Sequence, residues 1–158
     1  MEIDLCAVTA SWRRAWSTSL YCHVDSDTEK VAMSDERFTG LVKRAISELS
    51  PEHMAALDNV AILTADEPNN EQLKKLKLRG DQLLLGLYEG IPRTQRTGYE
   101  SGILPDTITI FKHPLMAISS NEDDLYRHIK QTVWHEIAHY FGISHDEMDQ
   151  RQQTTRYN

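Results

Sequence analysis

The feature that most constrains this chain is an amphipathic helix near its carboxyl end. Apolar residues recur every four positions there, so they share one helical face that must pack against a core: Leu125, Ile129, Val133, Ile137 and Phe141. Ser120 or Asn121 is the predicted N-cap, and three acidic residues follow in the first turn, where they favour a helix start. The chain therefore has to fold with a long helix lying on its core.

The face opposite this apolar stripe carries two histidines. His135 and His139 are four residues apart, so their imidazoles share one side of the helix and can bind one metal ion. His135 lies about 200° around the helix axis from Val133, which directs the pair away from the core. Glu136 lies about 60° from His139, so its carboxylate can border the ion without ligating it.

A third ligand is predicted from the way the helix ends. Gly142 can adopt the left-handed conformation that stops a helix, and the reversal lets His145 turn back toward the pair. Three imidazoles leave a fourth tetrahedral position for water, which is typical of a catalytic zinc site. The sequence thus predicts one zinc ion held by His135, His139 and His145, with Glu136 as the catalytic residue. Solvated histidines before an ordinary glycine cap, or a closed structural zinc site, are the alternative interpretations.

The rest of the chain predicts an α+β fold. We expect a short mixed sheet of about three strands, packed by several helices and completed by the metal-binding helix. Helical spacing and capping signals cover residues 34–49, 51–57 and 71–76, and β-leaning runs cover 60–64, 83–88 and 107–111.

The first 32 residues differ in character from the remainder. They hold both cysteines and two of the three tryptophans. Recurring acidic residues and the Arg13-Arg14 pair are unlike a secretory or transit peptide. We interpret 1–32 as an N-terminal extension, either poorly ordered or the product of a misassigned start before Met33, and 33–158 as the folded domain. An extension that folded over a cleft could act as a propeptide, although nothing in its residues requires this.

Composition narrows the classes of partner. The 158 residues suffice for one compact domain. The 17 Lys and Arg against 24 Asp and Glu leave a charge of −7, which argues against nucleic-acid binding. No apolar run approaches the roughly 20 residues of a membrane span. Two cysteines indicate reduced thiols in a cytoplasmic protein rather than a disulfide framework. No feature specifies an oligomeric state.

The motif His135-Glu136-Ile137-Ala138-His139, followed by Gly142 and His145, resembles the extended zinc signature of the metzincin metallopeptidases. From Met33 onward the chain more closely resembles the minimal zincin-like metallopeptidases of bacteria. That resemblance runs through residues 34–38, 57–60, 85–92, 102–106 and 135–143. Two departures are present: members of the smaller family often carry Asp at the position of His145, and the thirteen residues after it leave no room for the metzincin Met-turn.

This resemblance implies hydrolysis of a peptide or protein substrate. Glu136 would take a proton from water and return it to the leaving amine. The substrate would add as a strand to an exposed sheet edge, for which residues 83–88 and 107–111 are both candidates. Tyr88 and Tyr99 are candidates for stabilising the oxyanion, although a packing role is favoured for each. The remaining histidines are not assigned as ligands: His23, His53, His113 and His128.

Two rival functions remain open from the sequence. Bacterial ribosomal-RNA maturation endonucleases place three histidines at the same H-x3-H-x5-H spacing, but their motif lacks the Glu beside the first histidine. A local basic patch that could serve RNA is formed by Lys74, Lys75, Lys77, Arg79, Arg93 and Arg96. The non-enzymatic alternative is a zinc-holding interaction module with a closed site.

Overall fold

A computed structural model describes residues 6–9, 33–78, 82–96, 104–143 and 147. The prediction of an α+β fold is confirmed. In chain order the elements are β1 (Cys6–Thr9), α1 (Asp35–Ser47), α2 (Pro51–Ala56), β2 (Val60–Ala65), α3 (Asn70–Lys75), β3 (Leu84–Glu89), a 3-10 turn (Arg93–Gln95), β4 (Asp106–Phe111), α4 (Lys112–Ala117) and α5 (Glu122–Tyr140).

The described strands form one mixed sheet in the order β1-β3-β4-β2. β2 runs parallel to β4, whereas β3 is antiparallel to β4 and β1 is antiparallel to β3. The three predicted strands are therefore confirmed, and β1 and α4 are additional elements. α4 follows β4 without a loop and carries Pro114 in its first turn, a position where proline is compatible with a helix.

Helices cover both faces of the sheet. On one face, Tyr88, Ile108 and Ile110 pack with the apolar stripe of α5 and with α1. On the other face, Leu84, Leu87 and Phe111 pack against apolar side chains of α3 and the segment after it. Because α5 lies against the centre of the sheet, its side chains can reach the strands directly.

Capping side chains define where the long helices begin. The Asn121 side chain accepts a hydrogen bond from the Asp124 N–H at 2.9 Å, and the Ser34 hydroxyl accepts one from the Arg37 N–H at 3.2 Å. Each satisfies a backbone donor that has no partner within its helix. Both predicted helix starts are thereby confirmed, with Asn121 rather than Ser120 as the cap of α5.

The sheet order corrects the prediction about the substrate edge. β4 lies between β2 and β3, so residues 107–111 offer no edge and that candidate was wrong. β3 has β4 on one side and β1 on the other, so residues 83–88 offer no exposed edge while β1 is paired there. β1 belongs to the segment 1–32, for which the sequence predicted no strand. That residues 1–32 are an N-terminal extension, or the product of a misassigned start, stays a prediction.

Candidate metal centre

The last two turns of α5 are buried on every side but one. Between Thr132 and Tyr140, every side chain is buried except that of Trp134. The exposed fractions are 4% for His135, 0% for Glu136 and 7% for His139. The sequence predicted an open histidine face opposite the core stripe. That stripe is buried as expected, but the histidine face is buried as well.

The two predicted helix ligands lie next to each other. The ring centroids of His135 and His139 are 4.7 Å apart, with the planes at 73°. The Nε2 atom of His139 is buried. Two imidazoles at this separation have the chemistry and the spacing to bind one divalent ion.

The third predicted ligand, His145, lies outside the described residues. Within the described parts of the chain, no group of three His, Cys, Asp or Glu side chains gathers as a metal site. The described helix end does turn as the sequence predicts. Gly142 has a φ of 77°, and its N–H donates to the carbonyl of His139 while the Ile143 N–H donates to that of Ala138. These two bonds form a Schellman motif, which reverses the chain after the helix.

Glu136 is the most unusual group in the structure. Its side chain is fully buried, and neither carboxylate oxygen accepts a hydrogen bond of ordinary geometry from the described residues. Burial raises the pKa of Glu136 well above its ordinary value, and the nearby backbone N–H of Tyr88 acts in the opposite direction. A buried carboxylate with so little hydrogen bonding destabilises a fold, which makes Glu136 a candidate functional group.

Gly86 on β3 creates the space that Glu136 occupies. A Cβ atom at Gly86 would lie 2.6 Å from Cγ2 of Thr132 and 2.9 Å from Oε1 of Glu136, closer than atoms can approach. A side chain at position 86 would therefore force Thr132 or Glu136 to shift. The sequence analysis did not assign Gly86 a role, although a glycine inside a strand pattern is a known signal of close backbone approach.

A second close approach shapes the helix end. A side chain at Gly142 would collide with the Thr94 hydroxyl, so the loop after β3 packs directly on the turn that leads toward His145. Glycine is required at position 142 both for its positive φ and for this contact.

The two tyrosines considered for stabilising the oxyanion are Tyr88 and Tyr99. The buried Tyr88 hydroxyl donates to Asp106 at 2.7 Å, and Arg96 forms an ion pair with the same carboxylate. Burial and the Asp106 carboxylate raise the pKa of Tyr88. Tyr88 therefore packs and bonds within the core, which was the favoured alternative, and Tyr99 lies outside the described residues. Since Arg96 is engaged with Asp106, it does not contribute to a free basic patch.

The other histidines occupy separate places. His53 is half-buried and packs edge-on against Trp134, with the ring centroids 4.9 Å apart. His113 contacts Glu67. His128 contacts the Ser119 hydroxyl at 2.9 Å, and burial lowers its pKa. His23 lies outside the described residues.

Comparison with known families agrees with this geometry. The profile of the zincin-like metallopeptidase family matches residues 57–154, which is more than half of the chain. The chain belongs to the zincin-like metallopeptidase family. Among curated proteins, no significant match was found.

Family membership implies zinc binding, and the residues present fit that ion. Paired imidazoles suit zinc, and a buried carboxylate that lacks a hydrogen bond stands beside them. Over the residues that the structure covers, none of the helices combines the length and apolar character needed to cross a bilayer.

Proposed function

We propose that this protein is a zinc-dependent peptidase in which Glu136 is the general base. The observation that carries the proposal is the fully buried Glu136 carboxylate, without a hydrogen bond, next to the His135–His139 pair. His135 and His139 would hold one catalytic zinc ion, with His145 as the third predicted ligand. A bound zinc ion supplies the acidity that makes water a nucleophile near neutral pH and polarises a carbonyl oxygen.

The protein's own residues provide the proton transfers. A general base acts best when its pKa lies near the working pH, and burial moves the pKa of Glu136 upward from the range of an exposed carboxylate. Glu136 would accept a proton from the attacking water and pass it to the nitrogen of the departing amine. Because β3 and α5 enclose the carboxylate at Gly86, it stays in one position during both transfers.

The substrate in this proposal is a peptide or protein segment in extended form. We assign the outer edge of β3 as its binding strand, since β3 is the strand whose backbone lies against Glu136. The charge of −7 is consistent with a protein substrate rather than a nucleic acid. The cysteine content is consistent with a cytoplasmic location, and no membrane partner is proposed.

Zinc content and peptide hydrolysis of the full chain test the proposal, with Glu136→Gln as the matched variant. Gln keeps the size of the side chain but cannot accept the proton. We expect zinc to be retained and kcat/KM on a peptide library to fall by about 10²–10⁴-fold. Equal activity in both proteins would overturn the role of Glu136. Cleavage of RNA instead of peptides would support the endonuclease alternative, and bound zinc without any hydrolysis would support the interaction module.

A further inference from the structure

The strand that borders Glu136 already has a partner within the same chain. β1 pairs with β3 in antiparallel register, with Cys6 opposite Tyr88 and Ala7 opposite Leu87. Neighbouring strands in a sheet lie about 4.8 Å apart. The backbone of Cys6 and Ala7 therefore runs one strand spacing from the part of β3 that encloses Glu136.

β1 also contacts α5, the helix that carries the candidate metal centre. It thus takes the place beside β3 that an added strand would need, and from there it also reaches the helix. In the full chain, His135 and His139 retain exposed fractions of only 4% and 7%. That exposure is too small for an extended peptide to reach the imidazoles in this arrangement of the chain.

We propose that residues 6–9 occupy the strand position that a peptide substrate takes on β3, so that the full chain is self-inhibited until β1 leaves. The inference rests on the proposed peptidase function and adds its regulation. One sheet edge can pair with only one strand, because each backbone N–H and C=O on that edge serves one partner at a time. β1 and a substrate therefore exclude each other.

β1 is built so that it can be displaced. It is four residues long, and its register shifts between Ala7 and Thr9, which interrupts the ladder of hydrogen bonds. Its sequence, Cys-Ala-Val-Thr, is uncharged and made of small residues. A substrate that competes for the same edge is expected to be an uncharged extended segment of similar residues.

The expected strength of self-inhibition follows from competition between β1 and the substrate for the same edge of β3. A tethered segment acts at an effective concentration of about 1 mM. For a substrate-like segment that binds at about 0.1 mM, within the usual range of KM values, occupancy by β1 reduces substrate access by roughly tenfold.

The test uses the full chain with the double substitution Ala7→Pro and Val8→Pro. Alternate N–H groups of a strand face its partner, so one of the two prolines removes a ladder donor whichever residue provides it. The matched control is Ala7→Ser with Val8→Thr, which keeps both N–H groups and the strand propensity. Zinc content and circular dichroism are measured on all three proteins.

Two readouts are independent of activity. The amides of Leu87 and Tyr88 face opposite sides of β3, one toward β1 and the other toward β4. The amide that faces β1 should be protected from hydrogen exchange in the wild type and the control and unprotected in the proline variant, whereas the amide that faces β4 should be protected in all three. A fluorescent peptide of residues 4–11 should bind the proline variant and not the other two. Should the proline variant fail to fold, a lack of protection at the β1-facing amide of this pair in the wild type would by itself overturn the inference.

The activity arm separates this inference from the proposed function. We expect kcat/KM on small uncharged peptides to rise roughly tenfold in the proline variant, and the residue 4–11 peptide to reverse that gain. An unchanged rate in a folded, zinc-loaded proline variant would overturn self-inhibition while leaving the peptidase intact. Relief by Cys6→Ser alone would also overturn it, since a thiol rather than strand pairing would then be responsible. If no zinc-loaded protein hydrolyses any peptide, the peptidase proposal fails, and exchange and peptide binding still decide which segment holds the β3 edge.

Discussion

The two halves of α5 are held in the fold by opposite kinds of interaction. In the first half the outward side chains make surface ion pairs, such as Lys130 with Glu48 at 2.7 Å and Arg127 with Asp124 at 2.7 Å. In the second half the polar residues His135, Glu136 and His139 are buried. The first half follows ordinary rules of helix stability, whereas the second half buries a carboxylate at a cost in free energy. Such a local violation of folding rules is typical of a functional site.

The largest effect on stability is expected when the buried charge of Glu136 is removed. Met fills a volume similar to that of Glu but has no charge to desolvate, so Glu136→Met should raise the free energy of unfolding of the metal-free protein by about 1–3 kcal/mol. Urea denaturation measures this, with hydrolysis assayed in parallel and expected to be lost.

The matched substitution lies at the start of the same helix. The Glu122 side chain is 40% exposed and pairs with Arg37, and it favours the helix N-terminus. Glu122→Met should therefore lower the free energy of unfolding by up to about 1 kcal/mol. If Glu136→Met and Glu122→Met both lose stability, buried charge is not what distinguishes the two halves of the helix.

A smaller effect is expected from closing the gap between β3 and α5. Gly86→Ala places a methyl group against Thr132 and Glu136. After the modest gain from a less flexible unfolded chain, the net loss should be about 1–2 kcal/mol of unfolding free energy. Thermal denaturation measures the stability, and peptide hydrolysis should fall because Glu136 is displaced.

Gly40 in α1 provides the control for that substitution. A Cβ atom there would meet nothing within 4 Å. Gly40→Ala should therefore raise the free energy of unfolding by up to about 1 kcal/mol, through helix propensity alone. A neutral Gly86→Ala beside a stabilising Gly40→Ala would show that β3 and α5 can separate without cost.

The smallest effect concerns pH and the first half of α5. Hydrogen bonds from Lys130 and then from Tyr126 lower the pKa of Glu48 to about 2, from 4.5 in an exposed carboxyl. A lowered pKa in the folded state means that the stabilisation is complete above pH 4.5 and is lost as the pH falls toward 2. The wild type should thus lose more stability over this window than Glu48→Gln does. Because Glu48 is 35% exposed, solvent screening keeps the difference small, and parallel acid-induced melts of the two proteins would reveal it.

Local features of α5 were predictable because they depend on residues a few positions apart. The Asn121 cap, the stripe from Leu125 to Ile137 and the left-handed Gly142 all follow from helix geometry. The adjacency of His135 and His139 follows in the same way. The ion pair that engages Arg96 was not predictable, since Asp106 belongs to a different strand and no short-range pattern relates the two.

By itself, the sequence determined that a capped, amphipathic helix carries two histidines and a glutamate on neighbouring faces. Only the tertiary structure decided how those groups are enclosed. Gly86 and Glu136 are fifty positions apart in the chain, and they meet because β3 pairs beside β4 and the sheet packs on α5. The same long-range pairing brought β1 to the outer edge of β3. Helical periodicity is written in consecutive residues, whereas the choice of strand neighbours depends on contacts across the whole core.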